Sequence, residues 1–249
     1  MCRMFGMVAS EEQRVEGWLT AGRPSLESLA VNDSSECGNR DGWGIGWYRD
    51  SQAQPTVVKE PVPADTSALF ESTARAVRSR VVVAHVRRSS GTAHSLENTH
   101  PFVWQNWLFC HNGSCDGGPL KRLLPPEFAA RLHGETDSEV YFAHLMQHLG
   151  AEPDPVQALR AGVSAAIVAG AHTGLNFLLT DGQVMYALHS STDPDRHSLY
   201  LAEMPGVTVV ASEPLGTGSW TEIPDGWLAT LTREGHSMVR LVPARAVIE

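Results

Sequence analysis

No apolar run in this 249-residue chain approaches the roughly 20 residues that a membrane-crossing helix needs. The opening segment, MCRMFGMVASEEQRVEG, turns acidic where a secretory signal would carry its long apolar core. A cytoplasmic protein without membrane contact is therefore expected. A basic surplus is also missing: 19 Lys and Arg stand against 28 Asp and Glu, a formal net charge of −9. That balance argues against nucleic acid as a partner, because phosphate recognition gathers Lys and Arg on one face. Cysteine is scarce. The four, Cys2, Cys37, Cys110 and Cys115, are irregularly spaced and do not resemble a disulfide framework. Cys110 and Cys115 flank His111, but no second ligand pair at zinc-finger or ribbon spacing accompanies them. No metal or cofactor is expected. Internal repeats, low-complexity tracts and linker-like segments are lacking too, so one domain is the simplest division.

What remains is the composition of an enzyme-sized globular chain, 42% hydrophobic and 19% charged. Short apolar segments over Met4–Ala9, Trp43–Tyr48, Val81–Val86 and Asn106–His111 read as strands, the first ended by the acidic residues after it. Glycines alternate in the second, where another backbone can approach closely. Helical spacing covers 67–79. Thr136 and Glu139 fit a capping box opening a helix that carries Val140, Leu145 and Leu149, and an alanine-rich helix follows over Val156–Ala169. From Leu175 onward strands dominate, separated by turns such as Asp181-Gly182 and Pro205-Gly206. Strands, then two helices, then strands joined by hairpin-length links predict an α+β fold with antiparallel sheets.

The chemistry starts at Cys2. Removal of Met1 would place a thiol and an α-amine on one residue, and the amine titrates near pH 7.7–8.0. It can act as the base that deprotonates the thiol for attack on an amide carbonyl. Such a reaction needs donors aimed at the developing oxyanion. Asn112-Gly113 offers a side-chain amide and a backbone N–H, although the same pair also reads as a plain hairpin turn. Arg87 suits bidentate carboxylate binding. Asp137 could accept an ammonium, or simply favour a helix start. Strand alternation puts Arg87 and Arg88 on opposite faces, so one of them should line a site.

Taken in order, Met1-Cys2, Asp41-Gly-Trp-Gly44, His85-Val-Arg87, Asn98-Thr-His-Pro-Phe102, His111-Asn-Gly113 and Gly134-Glu-Thr-Asp-Ser-Glu139 resemble the class-II glutamine amidotransferases. These are N-terminal-nucleophile hydrolases, and the likeness is to their stand-alone bacterial branch, which includes γ-glutamyl amidohydrolases of ergothioneine synthesis. Ala211-Ser-Glu-Pro-Leu215 and the Trp220…Gly226-Trp227 ending fit that branch, so the likeness spans nearly the whole chain. It implies one amidotransferase domain over residues 2–249 and an αββα sandwich of two antiparallel sheets flanked by helices. It also implies Cys2 as nucleophile, Asn112 and Gly113 as oxyanion hole, and Arg87 and Asp137 as holders of the substrate α-carboxylate and α-amine. Gly42 and Trp43 would lie in a loop bordering the glutamine pocket, with Asn98 and His100 close by. For His100 a supporting role is as consistent as direct contact.

The implied substrate is a small γ-glutamyl compound. Arg87-Arg88-Ser89-Ser90-Gly91 departs from many biosynthetic members, which carry Trp after the arginine. The sequence ends at Glu249 with no synthase domain to consume ammonia, so a separate synthase partner, or trimming of a γ-glutamyl conjugate, is expected. Self-association stays open. Two other classes compete: a non-catalytic, regulatory glutamine-binding module, and a zinc or redox protein using Cys110, His111 and Cys115.

Overall fold

A computed structural model describes residues 2–34, 38–49, 53–193 and 197–243. Cys37 and Met1, both invoked above, lie outside the described residues. In chain order the first half comprises β1 (Arg3–Arg14), α1 (Leu26–Val31), β2 (Trp43–Trp47), β3 (Thr56–Glu60), α2 (Ala68–Ala76) and β4 (Arg78–Val86). Next come β5 (Phe102–Trp104), β6 (Trp107–Cys115), α3 (Gly117–Leu123), α4 (Pro126–Ala129), α5 (Asp137–Ala151) and α6 (Pro155–Ala169). The last part is all strand: β7 (His172–Thr180), β8 (Met185–His189), β9 (Tyr200–Met204), β10 (Val207–Ala211), β11 (Thr221–Glu222), β12 (Trp227–Thr232) and β13 (Gly235–Arg240).

The strands form two antiparallel sheets, ordered β11-β9-β10-β1-β4-β2-β3 and β13-β12-β8-β7-β6-β5. Alternation along each strand divides the apolar residues into three layers. Met4, Val8, Val81 and Val83 of the first sheet meet Leu108, Cys110, Leu178 and Met185 of the second. Phe5, Met7, Ile45 and Val82 face outward onto Leu26 and Leu29 of α1 and Phe70 of α2. Phe109, Phe177 and Leu179 face outward onto Tyr141, Phe142 and Leu145 of α5 and Leu159 and Val163 of α6. Helices over both outer faces make this the expected αββα sandwich.

Local departures are informative. β1 does not stop at Ala9; exposed polar residues carry it to Arg14 past a register shift between Val8 and Gln13, because ladder hydrogen bonds do not require an apolar face. Asn112-Gly113 is not a hairpin turn but lies inside β6, paired with Asn176 and Leu175 of β7. Only half of the capping box forms. Thr136 Oγ1 accepts the Glu139 N–H at 3.2 Å, while the Glu139 carboxylate accepts the His133 and Gly134 N–H groups at 2.8 and 2.7 Å.

Candidate active site

Strand parity brings the chemistry together. Cys2 precedes β1 in register with Met4 and Val8, which face the second sheet. Arg87 continues the inward series Val81, Val83 and His85 one residue beyond β4, still tied to the β2 side by its N–H on the Gly42 carbonyl at 2.7 Å. Asn112 follows Leu108 and Cys110 on the inward face of β6. The three line one cavity of about 380 Å³, together with Gly113, His100, His111, Asp137 and Ser138.

The Cys2 thiol is half-buried and touches the backbone of Arg88, whose N–H donates to Sγ at 3.3 Å. Burial raises the thiol pKa, opposed by that backbone hydrogen bond and by the charges of Arg87 and Arg3. Arg88 thus borders the cavity alongside Arg87, correcting the expectation that only one of the pair would. It does so from beyond the end of the strand.

Arg87 is 3% exposed. Its guanidinium donates to Thr92 Oγ1 at 2.6 Å, Ser89 Oγ at 3.3 Å and the Asp41 carbonyl at 3.3 Å. All three acceptors are uncharged, and among the described residues no carboxylate lies within ion-pair distance of it. Asp41 instead accepts the Ser89 N–H at 2.7 Å, fixing the turn that follows Arg87.

Asn112 is buried, and neither atom of its side-chain amide has a protein partner among the described residues. Such a group costs stability unless something bonds to it. Beside it, Gly113 has φ +139°, and an added Cβ would sit 2.1 Å from the Gly174 carbonyl oxygen. Only glycine satisfies both conditions.

The α5 end closes the cavity. Asp137 is its first residue and accepts the Cys115 N–H at 2.8 Å, so it ties the helix to β6 while facing the cavity. His111 Nε2 lies 3.1 Å from the Gly174 carbonyl and must donate to it, so Nδ1 accepts the Ser138 hydroxyl at 2.9 Å. Burial lowers the His111 pKa, opposed by Asp137. His85 donates to the His111 carbonyl at 3.2 Å and burial holds its pKa down to about 3.

Other expected residues sit differently. His100 lines the cavity, packs against His85 in a tilted pair at 4.2 Å between ring centroids, and has no hydrogen-bond partner at either ring nitrogen among the described residues. Gly42, Trp43 and Asn98 do not reach the cavity wall. Trp43 opens β2 and packs edge-on against Phe70 at 5.1 Å in the outer layer. Gly42 supports Arg87 through its carbonyl, as described. Asn98 joins two loops, donating to Ala93 O at 3.1 Å and accepting the Glu135 N–H at 2.8 Å. Cys110 and His111 point to opposite faces of β6, which separates the pair that the zinc reading needs. Among the described residues no three His, Cys, Asp or Glu side chains come together as a metal site. No helix among them is long and apolar enough to cross a membrane.

Sequence reasoning missed Thr92, Ser114, Thr173, Thr192, Asp193 and His197, which also line the wall. Only Thr92 carries a local signal, five residues beyond the arginine it holds.

Comparison with known proteins identifies the family and the fold. Residues 1–205 match the family described as glutamine amidotransferases class-II. The γ-glutamyl-hercynylcysteine sulfoxide hydrolase of Mycobacterium tuberculosis is 32% identical over 209 residues, 83% of this chain and 82% of its own. A class-II glutamine aminotransferase domain protein from Silicibacter pomeroyi superposes with TM-score 0.72 at 26% identity, covering 97% of this chain and all of that one. The Bacillus subtilis glutamine phosphoribosylpyrophosphate amidotransferase shares the fold, with TM-score 0.71 at 21% identity over 97% of this chain and 49% of its own. With a thiol, an arginine lacking a countercharge and an unbonded amide in one cavity of this sandwich, the chain belongs to the class-II glutamine amidotransferases.

Proposed function

We propose that this chain, once Met1 is removed, is a cysteine-dependent amidohydrolase acting on the γ-amide of glutamine or of a γ-glutamyl conjugate. The observation that carries the reading is the shared cavity, in which the Cys2 thiol, the Arg87 guanidinium without a carboxylate and the unpartnered Asn112 amide all meet. Arg87 takes the α-carboxylate and Asp137 the α-ammonium, which presents the γ-carbonyl to Cys2. The freed α-amine accepts the thiol proton as sulfur bonds to that carbon. The oxyanion is held by the Asn112 amide and the Gly113 N–H. Collapse breaks the C–N bond, the α-ammonium returns its proton to the departing nitrogen, and a γ-glutamyl thioester remains. Water attacks it by the same proton route and releases glutamate. The M. tuberculosis relative's name describes a γ-glutamyl hydrolase, which supports a conjugate as the substrate class.

The test is glutamate release from glutamine and from γ-glutamyl dipeptides, with intact-mass analysis for loss of Met1. Cys2→Ala should lower turnover by at least about 10³. Hydrolysis at the native rate by that variant would end the proposal. A clear preference for glutamine would point to a separate synthase as ammonia acceptor.

A further inference from the structure

We propose that Arg3 is a positioning residue for the nucleophile: its guanidinium, clamped between Asp33 and Glu213, holds the Cys2 carbonyl and so directs the thiol into the cavity. This rests on the amidohydrolase reading above. Arg3 is 2% exposed. Its Nε meets Glu213 Oε1 at 2.6 Å, its Nη2 meets Asp33 Oδ2 at 3.0 Å, and its Nη1 donates to the Cys2 carbonyl at 3.0 Å. Both acids are fixed in turn. Asn39 donates to Asp33 Oδ2 at 3.0 Å and to the Leu29 carbonyl at 2.8 Å. Glu213 accepts the Ser34 hydroxyl at 2.9 Å, and the neighbouring Ser212 brackets Met4, its N–H on the Met4 carbonyl and its hydroxyl taking the Met4 N–H, both at 3.0 Å.

A buried arginine between two acids is a poor source of stability, since apolar residues of similar volume often serve as well. Its place directly behind Cys2 is therefore informative. The grip falls on the carbonyl and not on the amine, so it survives removal of Met1 and leaves the new α-amine unencumbered. From the other side the Arg88 N–H meets Sγ. Between them these contacts restrict how the Cys2 side chain can turn, and small misplacement of a reacting atom is costly to turnover. The Arg3 charge also favours the thiolate.

The alternative is that the cluster only staples α1 and the 212–215 segment to β1. Full-length Arg3→Met, Arg3→Lys and Glu213→Gln would be compared with the native protein. The readouts are hydrolysis of a γ-glutamyl dipeptide, the pH profile of Cys2 alkylation by iodoacetamide, and thermal unfolding. Arg3→Met should lower kcat by about tenfold or more with KM within about twofold, because nothing that binds the α-groups has changed. Its alkylation midpoint should move to higher pH, and Arg3→Lys should recover part of both effects. A folded Arg3→Met protein with native kcat and a native alkylation profile would overturn the proposal, as would a lowered unfolding temperature alone. If Arg3→Met does not fold, Glu213→Gln decides by the same readouts. If the native protein releases no glutamate, the amidohydrolase reading fails, while the alkylation profiles still decide the role of Arg3.

Discussion

Replacing Arg87 with methionine removes a cavity charge that, among the described residues, meets only neutral oxygens: Thr92 Oγ1, Ser89 Oγ and the Asp41 carbonyl. If a substrate α-carboxylate is its countercharge, the loss can be sized. Hydrogen bonds to charged groups contribute about 1.5–3 kcal/mol each. A two-point grip, discounted for the desolvation of both ions, comes to about 3 kcal/mol, or roughly two orders of magnitude in kcat/KM. The assay compares γ-glutamyl-p-nitroanilide with 4-aminobutyryl-p-nitroanilide, which keeps the amine and lacks the α-carboxylate. The native enzyme should prefer the first by about 100-fold, and Arg87→Met should abolish that preference by losing activity on the first alone. Arg87 also braces Thr92 and Ser89, so a cost of about 1–2 kcal/mol in stability is expected and rates must be read well below the unfolding temperature. An equal loss on both substrates would refute the reasoning, because it would mean that Arg87 shapes the site without reading the carboxylate.

Asn112→Ala should lower kcat by about 10²–10³ while leaving the thermal midpoint unchanged or higher, since the buried amide finds no partner among the described residues; native turnover would remove it from the oxyanion hole. Gly113→Ala should cost at least about 2 kcal/mol in urea unfolding, given the contact with Gly174 and the positive φ; an unchanged midpoint would contradict this geometry. Acid should weaken the fold through His85, whose pKa is depressed to about 3 against an ordinary 6.5. Below pH 6.5 the unfolded chain takes up a proton that the folded chain refuses, so stability falls as pH drops. The slope is up to about 1.4 kcal/mol per pH unit for this side chain. Thermal midpoints measured down to about pH 4 should fall less steeply in His85→Gln, and equal slopes would count against the assignment.

Sheet layout and much of the site were legible because they follow from short-range pattern. The run Val81–Val86 can only be a buried strand, and its parity carries through to Arg87. The alternating glycines of β2 mark a close approach, and a Cβ on Gly44 would sit 2.1 Å from the His100 carbonyl. Asn112-Gly113 misleads as structure for a local reason: the pair is the common hairpin signal, but a glycine with positive φ can also sit within a strand when a neighbouring backbone presses on it. Glu139 has the spacing of a capping box, yet two loop N–H groups compete for its carboxylate. Helices α1 and α3, of six and seven residues, are too short to show a period. Thr173, Thr192 and His197 reach the cavity from far along the chain, and no local pattern announces them.

The thiol and the amide belong to different sheets. Cys2 leads into β1 and Asn112 sits in β6, and among the described residues no backbone ladder joins the two sheets; apart from side-chain bridges such as His85 to the His111 carbonyl, their separation is set by the side-chain layer of Met4, Val83, Leu108, Leu178 and Met185. Alignment of the site is therefore a matter of thickness, and that layer acts as a shim. Gly6 shows how finely it is set, since a single methyl there would lie 2.6 Å from Met185 Sδ. Volume changes in that layer, distant from any substrate, would move one half of the chemistry relative to the other while leaving both ladders intact. Turnover in such a fold can be retuned from its interior.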